Sequence, residues 1–104
     1  MTRAVHGMMA RMTDRPIMPA GLQHYRTVGP WDADAIPAGL LAEHRLKAGT
    51  WGRIEVLSGA VRFHWDDEAG GSVLLVPGTW DVPPEVPHHL ERTGEVRLQI
   101  MFWK

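Results

Sequence analysis

The stretch from His44 to Phe63, HRLKAGTWGRIEVLSGAVRF, limits the possible folds more than any other part of the chain. Apolar and polar residues alternate in short runs, and Gly49 and Gly59 fall between those runs. Alternation with period two is the pattern of a half-buried strand, and glycine supplies the backbone freedom that tight turns need. Downstream, PPEVPHH from Pro83 to His89 reads as a proline-framed entry into another strand. Each stretch carries a histidine among apolar neighbours.

The same reading extends along the chain. Strands are predicted at Leu22–Val28, Gly39–Lys47, Trp51–Leu57, Ala60–Trp65, Ser72–Val76, Trp80–Val82, Val86–Glu91 and Glu95–Trp103. Between them lie turn signals: Gly29-Pro30, Ala48-Gly49-Thr50, Ser58-Gly59, the polar run Asp66–Gly71, Pro77-Gly78 and Thr93-Gly94. The segment WDADAIP, Trp31 to Pro37, reads as a loop, because Asp32 and Asp34 favour side-chain-capped turns and Pro37 resists helix. The last strand is the most regular, with Val96, Leu98, Ile100 and Phe102 on one face and Arg97, Gln99, Met101 and Trp103 on the other. About eight short antiparallel strands with no helical period imply an all-β chain, a sandwich or jelly-roll barrel. Five tryptophans, eight prolines and eleven glycines agree, since long helices tolerate that density of proline and glycine badly.

A length of 104 residues implies one domain with an adequate core. Residues 1–20 read as a weakly structured N-terminal extension and 21–104 as the domain. Met8, Met9, Met12 and Met18 are concentrated in the extension, which could make a helical turn before Pro16 or present a thioether surface to a partner or metal. The net charge of −1 leaves no basic field for a nucleic-acid backbone. No apolar run approaches a membrane span, and no apolar segment follows Arg3 and Arg11 as in a secretory signal. The absence of cysteine excludes disulfides, thiolate metal sites and cysteine nucleophiles. A cytoplasmic protein is expected, binding neither nucleic acid nor membrane.

Strand parity sorts the histidines. His44 shares a face with Leu40, Ala42 and Leu46, and His88 with Val86 and Leu90, so both are predicted to point inward. His64 and His89 fall on polar faces and are predicted to meet solvent. An inward imidazole needs a hydrogen-bond partner or a metal, because an unpaired buried polar group costs on the order of 1–3 kcal/mol. A barrel that brings His44 and His88 together would place two neutral nitrogen donors in one interior. Trp51, Phe63 and Gln99 are the candidates for lining a ligand pocket around them, and Glu55 or Gln99 for a third ligand. No nucleophile elbow surrounds Ser58 or Ser72, and no glycine pattern opens a helix as a phosphate cradle.

The phrase PAGLLAEHRLKAGTWGRIEVLSGAVRF, with VPPEVPHHLE and the closing VRLQIMFW, resembles the TehB/YeaR-like family of small cupin-like domains over roughly residues 22–103. The family is found alone and as the N-terminal part of some tellurite-resistance proteins. The resemblance implies a double-stranded β-helix. It also implies a divalent metal held by histidines from a first motif before the VLSG turn and a second after the proline-rich entry, which fall on His44 and His88. The usual paired first histidines and following glutamate are missing, and Gly52 stands at the glutamate position. Family members tend to carry Asn and Arg where this chain has Arg45 and His89.

These readings lead to a small cupin-like protein that binds a divalent metal or a small anion in its interior. Zinc is expected first, with nickel or iron as alternatives, and no organic cofactor. The resemblance implies a role in the response to tellurite, other oxyanions or nitrosative stress. A metal-dependent small-molecule enzyme and a metal-free dimeric interaction module are the alternatives. Methyl transfer, where it accompanies such domains, resides in a separate nucleotide-binding domain, so it is not expected of these 104 residues. A homodimer is expected, because small sandwiches expose strand edges.

Overall fold

The computed structural model describes residues 15–104. Five antiparallel strands form the domain: β1 (His24–Asp32), β2 (Trp51–Trp65), β3 (Ser72–Leu75), β4 (Gly78–Val82) and β5 (His88–Trp103). The long strands β2 and β5 pair with each other along nearly their whole length. β1 adds to the free edge of the second half of β5. The opposite edge of β2 takes β4 along its first half and β3 along its second.

Eight strands were expected and five form, for two physical reasons. Ser58-Gly59 and Thr93-Gly94 do not turn the chain but lie inside β2 and β5, where the ladder shifts register between Val56 and Ser58 and between Gly59 and Val61. Gly59 has φ +74, and a Cβ there would lie 2.1 Å from the Glu95 carbonyl oxygen, so only glycine permits this crossing of the two backbones. Four predicted strands thus merge into two. The predicted strand Gly39–Lys47 is the other departure. It opens with a single 3-10 turn, Ala38–Leu40, and touches the sheet at one bridge only, His44 opposite His88. Beyond that bridge its backbone bond to a distant residue runs outside the sheet, from the Glu85 amide to the Leu46 carbonyl at 2.9 Å. A second 3-10 turn, Ala33–Ala35, occupies the predicted WDADAIP loop, and β1 runs past Gly29-Pro30 to Asp32 with a register shift.

The core forms on the inward face of β2 and β5. Val61, Phe63, Leu90 and Leu98 are fully buried, joined by Ile54, Val56, Trp65, Val96 and Ile100 from the same strands. Phe63 anchors an aromatic cluster, edge-on to Trp65 at 4.7 Å and tilted against Trp80 at 5.9 Å. Residues 1–14 of the expected extension, with Met8, Met9 and Met12, lie outside the described residues. The part that is described lies along β4. The Met18 amide donates to Asp81 Oδ2 at 2.9 Å, Arg15 donates to the Thr79 carbonyl, and the Arg15 guanidinium sits 5.1 Å over the Trp80 ring. Among the described residues no helix is long and apolar enough to cross a membrane.

Candidate functional site

His44 and His88 lie directly opposite each other across two short backbone chains. The His44 amide donates to the His88 carbonyl at 3.0 Å, and the His88 amide returns the bond at 2.9 Å. Residues paired in this way project to the same side of the sheet. The two imidazoles therefore meet, edge to face, with ring centroids 4.2 Å apart. His44 is half-buried, whereas His88 is 4% exposed and stacks on Phe63 at 5.3 Å. The pair runs from the rim of the site to its floor.

Each ring is oriented by its own strand. His88 Nδ1 donates to the Val86 carbonyl at 2.8 Å and His44 Nδ1 to the Ala42 carbonyl at 3.0 Å. A carbonyl only accepts, so in the neutral ring the proton sits on Nδ1 and the lone pair on Nε2. Neither Nε2 has a hydrogen-bond partner among the described residues. Burial is the main reason that His88 is driven down to a pKa of about 4, with His44 adding to the effect and the Val86 carbonyl opposing it. His88 is therefore neutral near pH 7.

The pair opens on a cavity of about 80 Å³ whose other walls include Leu40, Leu46, Ile54, Val82 and Phe102. Among the described residues the histidines supply its only polar side chains. Pockets for drug-sized ligands run to roughly 300–1,000 Å³, so this space suits an ion or a molecule of a few atoms. Gly52 also lines it, and a Cβ at that position would come 3.2 Å from Leu46 Cδ1. The missing side chain at Gly52 helps to keep the cavity open.

The other residues proposed for the site lie elsewhere. Phe63 forms its floor only through its stack on His88. Trp51 and Gln99 are displaced by strand parity. Gly52, Ile54 and Ile100 take the inward positions, which puts Trp51, Arg53, Glu55 and Gln99 on the opposite face of the sheet. There Gln99 Nε2 donates to Glu55 Oε1 at 2.8 Å, so neither candidate third ligand reaches the histidines. Among the described residues no group of three or more His, Asp or Glu side chains is placed to hold a metal ion. The interior pair nevertheless suits a metal: both Nδ1–H groups are tied to backbone carbonyls, as in many metal-ligating histidines, and both Nε2 lone pairs are uncommitted. Such a centre has two protein donors and needs other ligands to complete it.

A second pair was missed. His64 and His89 are also register partners and stack face to face, with centroids 4.5 Å apart and planes 6° from parallel. They do not simply meet solvent as expected. His64 Nε2 bonds Glu91 Oε1 and His89 Nδ1 bonds Asp66 Oδ2, both at 2.7 Å. Asp66 belongs to the polar run expected to turn the chain, and no local pattern links it to a residue 23 positions away.

An all-β domain of antiparallel strands with an inward histidine pair beside a small apolar cavity defines a small cupin-like protein. A family model described as the TehB-like domain matches residues 26–100, and the chain belongs to that family. A structure of a protein from E. coli strain K12 is similar at 25% identity and a TM-score of 0.75, over 86% of this chain and 96% of that one. TehB from Haemophilus influenzae is similar at 26% identity and a TM-score of 0.75, over 83% of this chain. The match spans only 32% of the Haemophilus protein. Hydroxypropylphosphonic acid epoxidase from S. wedmorenis shares the fold, at 24% identity and a TM-score of 0.51, over 67% of this chain and 39% of that one. No curated protein matches the chain.

Proposed function

We propose that this domain holds a divalent metal ion between His44 and His88 and presents it to a small anion or few-atom ligand in the apolar cavity. One observation carries the reading: two converging imidazoles whose only unengaged atoms are Nε2 lone pairs. A site made only of acceptors attracts a Lewis acid or a hydrogen-bond donor. It repels a free anion, because the walls are apolar and His88 is neutral. An anion such as tellurite therefore needs the positive charge that a bound cation supplies. Imidazole nitrogen suits zinc, nickel and iron, and a neighbour with the same fold has been described in an Fe(II) form. The resemblance to tellurite-resistance domains supports a role in the response to toxic oxyanions or nitrosative stress.

The protein's own contribution is orientation and exclusion of water. The Val86 and Ala42 carbonyls set the tautomers, Phe63 fixes the His88 ring from below, and the aliphatic walls limit the ligand to a few atoms. With only two protein donors, such a metal keeps open positions. Binding follows from this arrangement more directly than turnover, since among the described residues no general acid or base lines the cavity apart from the ligands themselves. The edge of β1, largely exposed along its length, suits the proposed homodimer.

The test is elemental analysis of untagged protein after equilibration with zinc, nickel and Fe(II) in turn. One equivalent of metal, lost in a folded His44→Ala plus His88→Ala variant, is the expected result. Wild-type protein that retains no metal, or a double variant that retains as much, overturns the proposal.

A further inference from the structure

His88 and His89 are neighbours on β5 and point to opposite faces, so the chain carries two histidine pairs back to back. We propose that the outer pair, His64 and His89, is a second metal site, taking a divalent late first-row cation such as Cu(II), Ni(II) or Zn(II). It stands independently of the interior site and on different observations.

Register supplies the first of them. His64 pairs with His89 in the β2–β5 ladder, and directly opposed side chains lie within reach of a single ion. Chemistry supplies the second. Glu91 accepts from His64 Nε2 and Asp66 from His89 Nδ1, each at 2.7 Å. In the neutral rings this leaves lone pairs on His64 Nδ1 and His89 Nε2. An imidazole backed by a carboxylate on its far nitrogen is the arrangement by which proteins orient a metal-binding ring and raise its basicity. The carboxylates act through the rings rather than beside them, so the site has two protein donors.

Charge and access agree with a cation. Asp66 and Glu91 carry two formal negative charges beside the pair, moderated by Arg62, opposite Glu91 in register. The His64 side chain is 28% exposed and that of His89 29%, beside an open groove of about 410 Å³ lined in part by Leu41 and Arg92. The stacked rings must swing toward a shared ion. The ring torsion of histidine is broad, and Glu91 is exposed and able to follow. Among divalent ions the affinity order for such nitrogen donors is Cu(II) above Ni(II) and Zn(II).

The test uses untagged wild-type protein with Cu(II) as the probe. Substoichiometric Cu(II) is expected to broaden the imidazole resonances of His64 and His89, whatever happens at His44 and His88. Calorimetry is expected to lose one equivalent of Cu(II) in His64→Ala plus His89→Ala while His44→Ala keeps it. Asp66→Asn plus Glu91→Gln, which leaves both rings in place, should weaken that equivalent about 10- to 100-fold. Sharp His64 and His89 resonances at one equivalent of Cu(II), or an unchanged number of equivalents in His64→Ala plus His89→Ala, overturns the proposal. If only His44 and His88 respond, the interior reading stands and this one fails.

Discussion

The two histidine pairs are built alike and placed differently. Each joins residues opposite one another across the sheet, and His88 and His89 are consecutive, yet one ring reaches the core and the other the surface. The inner rings give their protons to backbone carbonyls and sit among aliphatic walls. The outer rings give theirs to carboxylates and sit beside water. Dehydration leaves His88 neutral well into acid, against the opposing pull of the Val86 carbonyl. The outer pair instead has two negative charges next to it. The same residue type on the same strand is thus prepared for different electrostatic work by a one-residue change of face.

The largest disruption of this division should come from Gly59→Ala. A Cβ at 2.1 Å from the Glu95 carbonyl, at φ +74, forces the two long strands apart and should cost about 3 kcal/mol or more. Thermal unfolding measures it, and a variant within about 0.5 kcal/mol of wild type would show that the crossing tolerates a side chain. Both histidine pairs should lose register together, visible in their ring resonances.

Acid should act on the inner pair next. His88 is at its ordinary value of 6.5 when unfolded and about 4 when folded, so the unfolded chain binds the extra proton between those limits. Stability of metal-free protein is therefore full above pH 6.5 and is lost as the pH falls toward 4, by at most about 3 kcal/mol from this group. Urea unfolding across that range checks the slope. In His88→Gln this component should vanish, and an unchanged slope would assign the acid sensitivity to other groups.

Truncation separates the pairs by burial. His88→Ala removes a buried ring that stacks on Phe63 and should destabilise by about 2 kcal/mol. His89→Ala removes a partly exposed ring with one hydrogen bond to Asp66 and should cost less than about 1 kcal/mol. Equal losses in thermal unfolding would contradict the contrast between the two faces. The smallest expected effect on stability is that of Gly52→Ala, below about 1 kcal/mol, because the new methyl meets the mobile end of Leu46. Its consequence should instead be a narrower cavity, read as weaker anion binding to the metal-loaded protein with the outer site unaffected.

Much of this could be read from residue order. The alternation Val96, Leu98, Ile100, Phe102 predicted the inward face of β5, and the same parity placed His44 and His88 on inward faces. It equally placed Trp51 and Gln99 outward, and their proposed role as pocket residues ran against that pattern. The segment around His44 was expected to be a full strand, but parity at His44 needs only the one bridge that it makes. The glycines at 59 and 94 were read as turns, because a residue with positive φ looks the same in a hairpin and in a bulge.

Strand faces and the all-β class are therefore properties of the chain's local order: each side chain's direction follows from its neighbours one and two positions away. Whether Gly59 ends a strand or bends it depends on Glu95 lying against it. Whether His44 meets His88, and whether Asp66 finds His89, depends on which backbone lies opposite. Those distances are closed only when the long strands pair, and the environment that makes one histidine neutral and gives another a carboxylate exists only in the folded sheet.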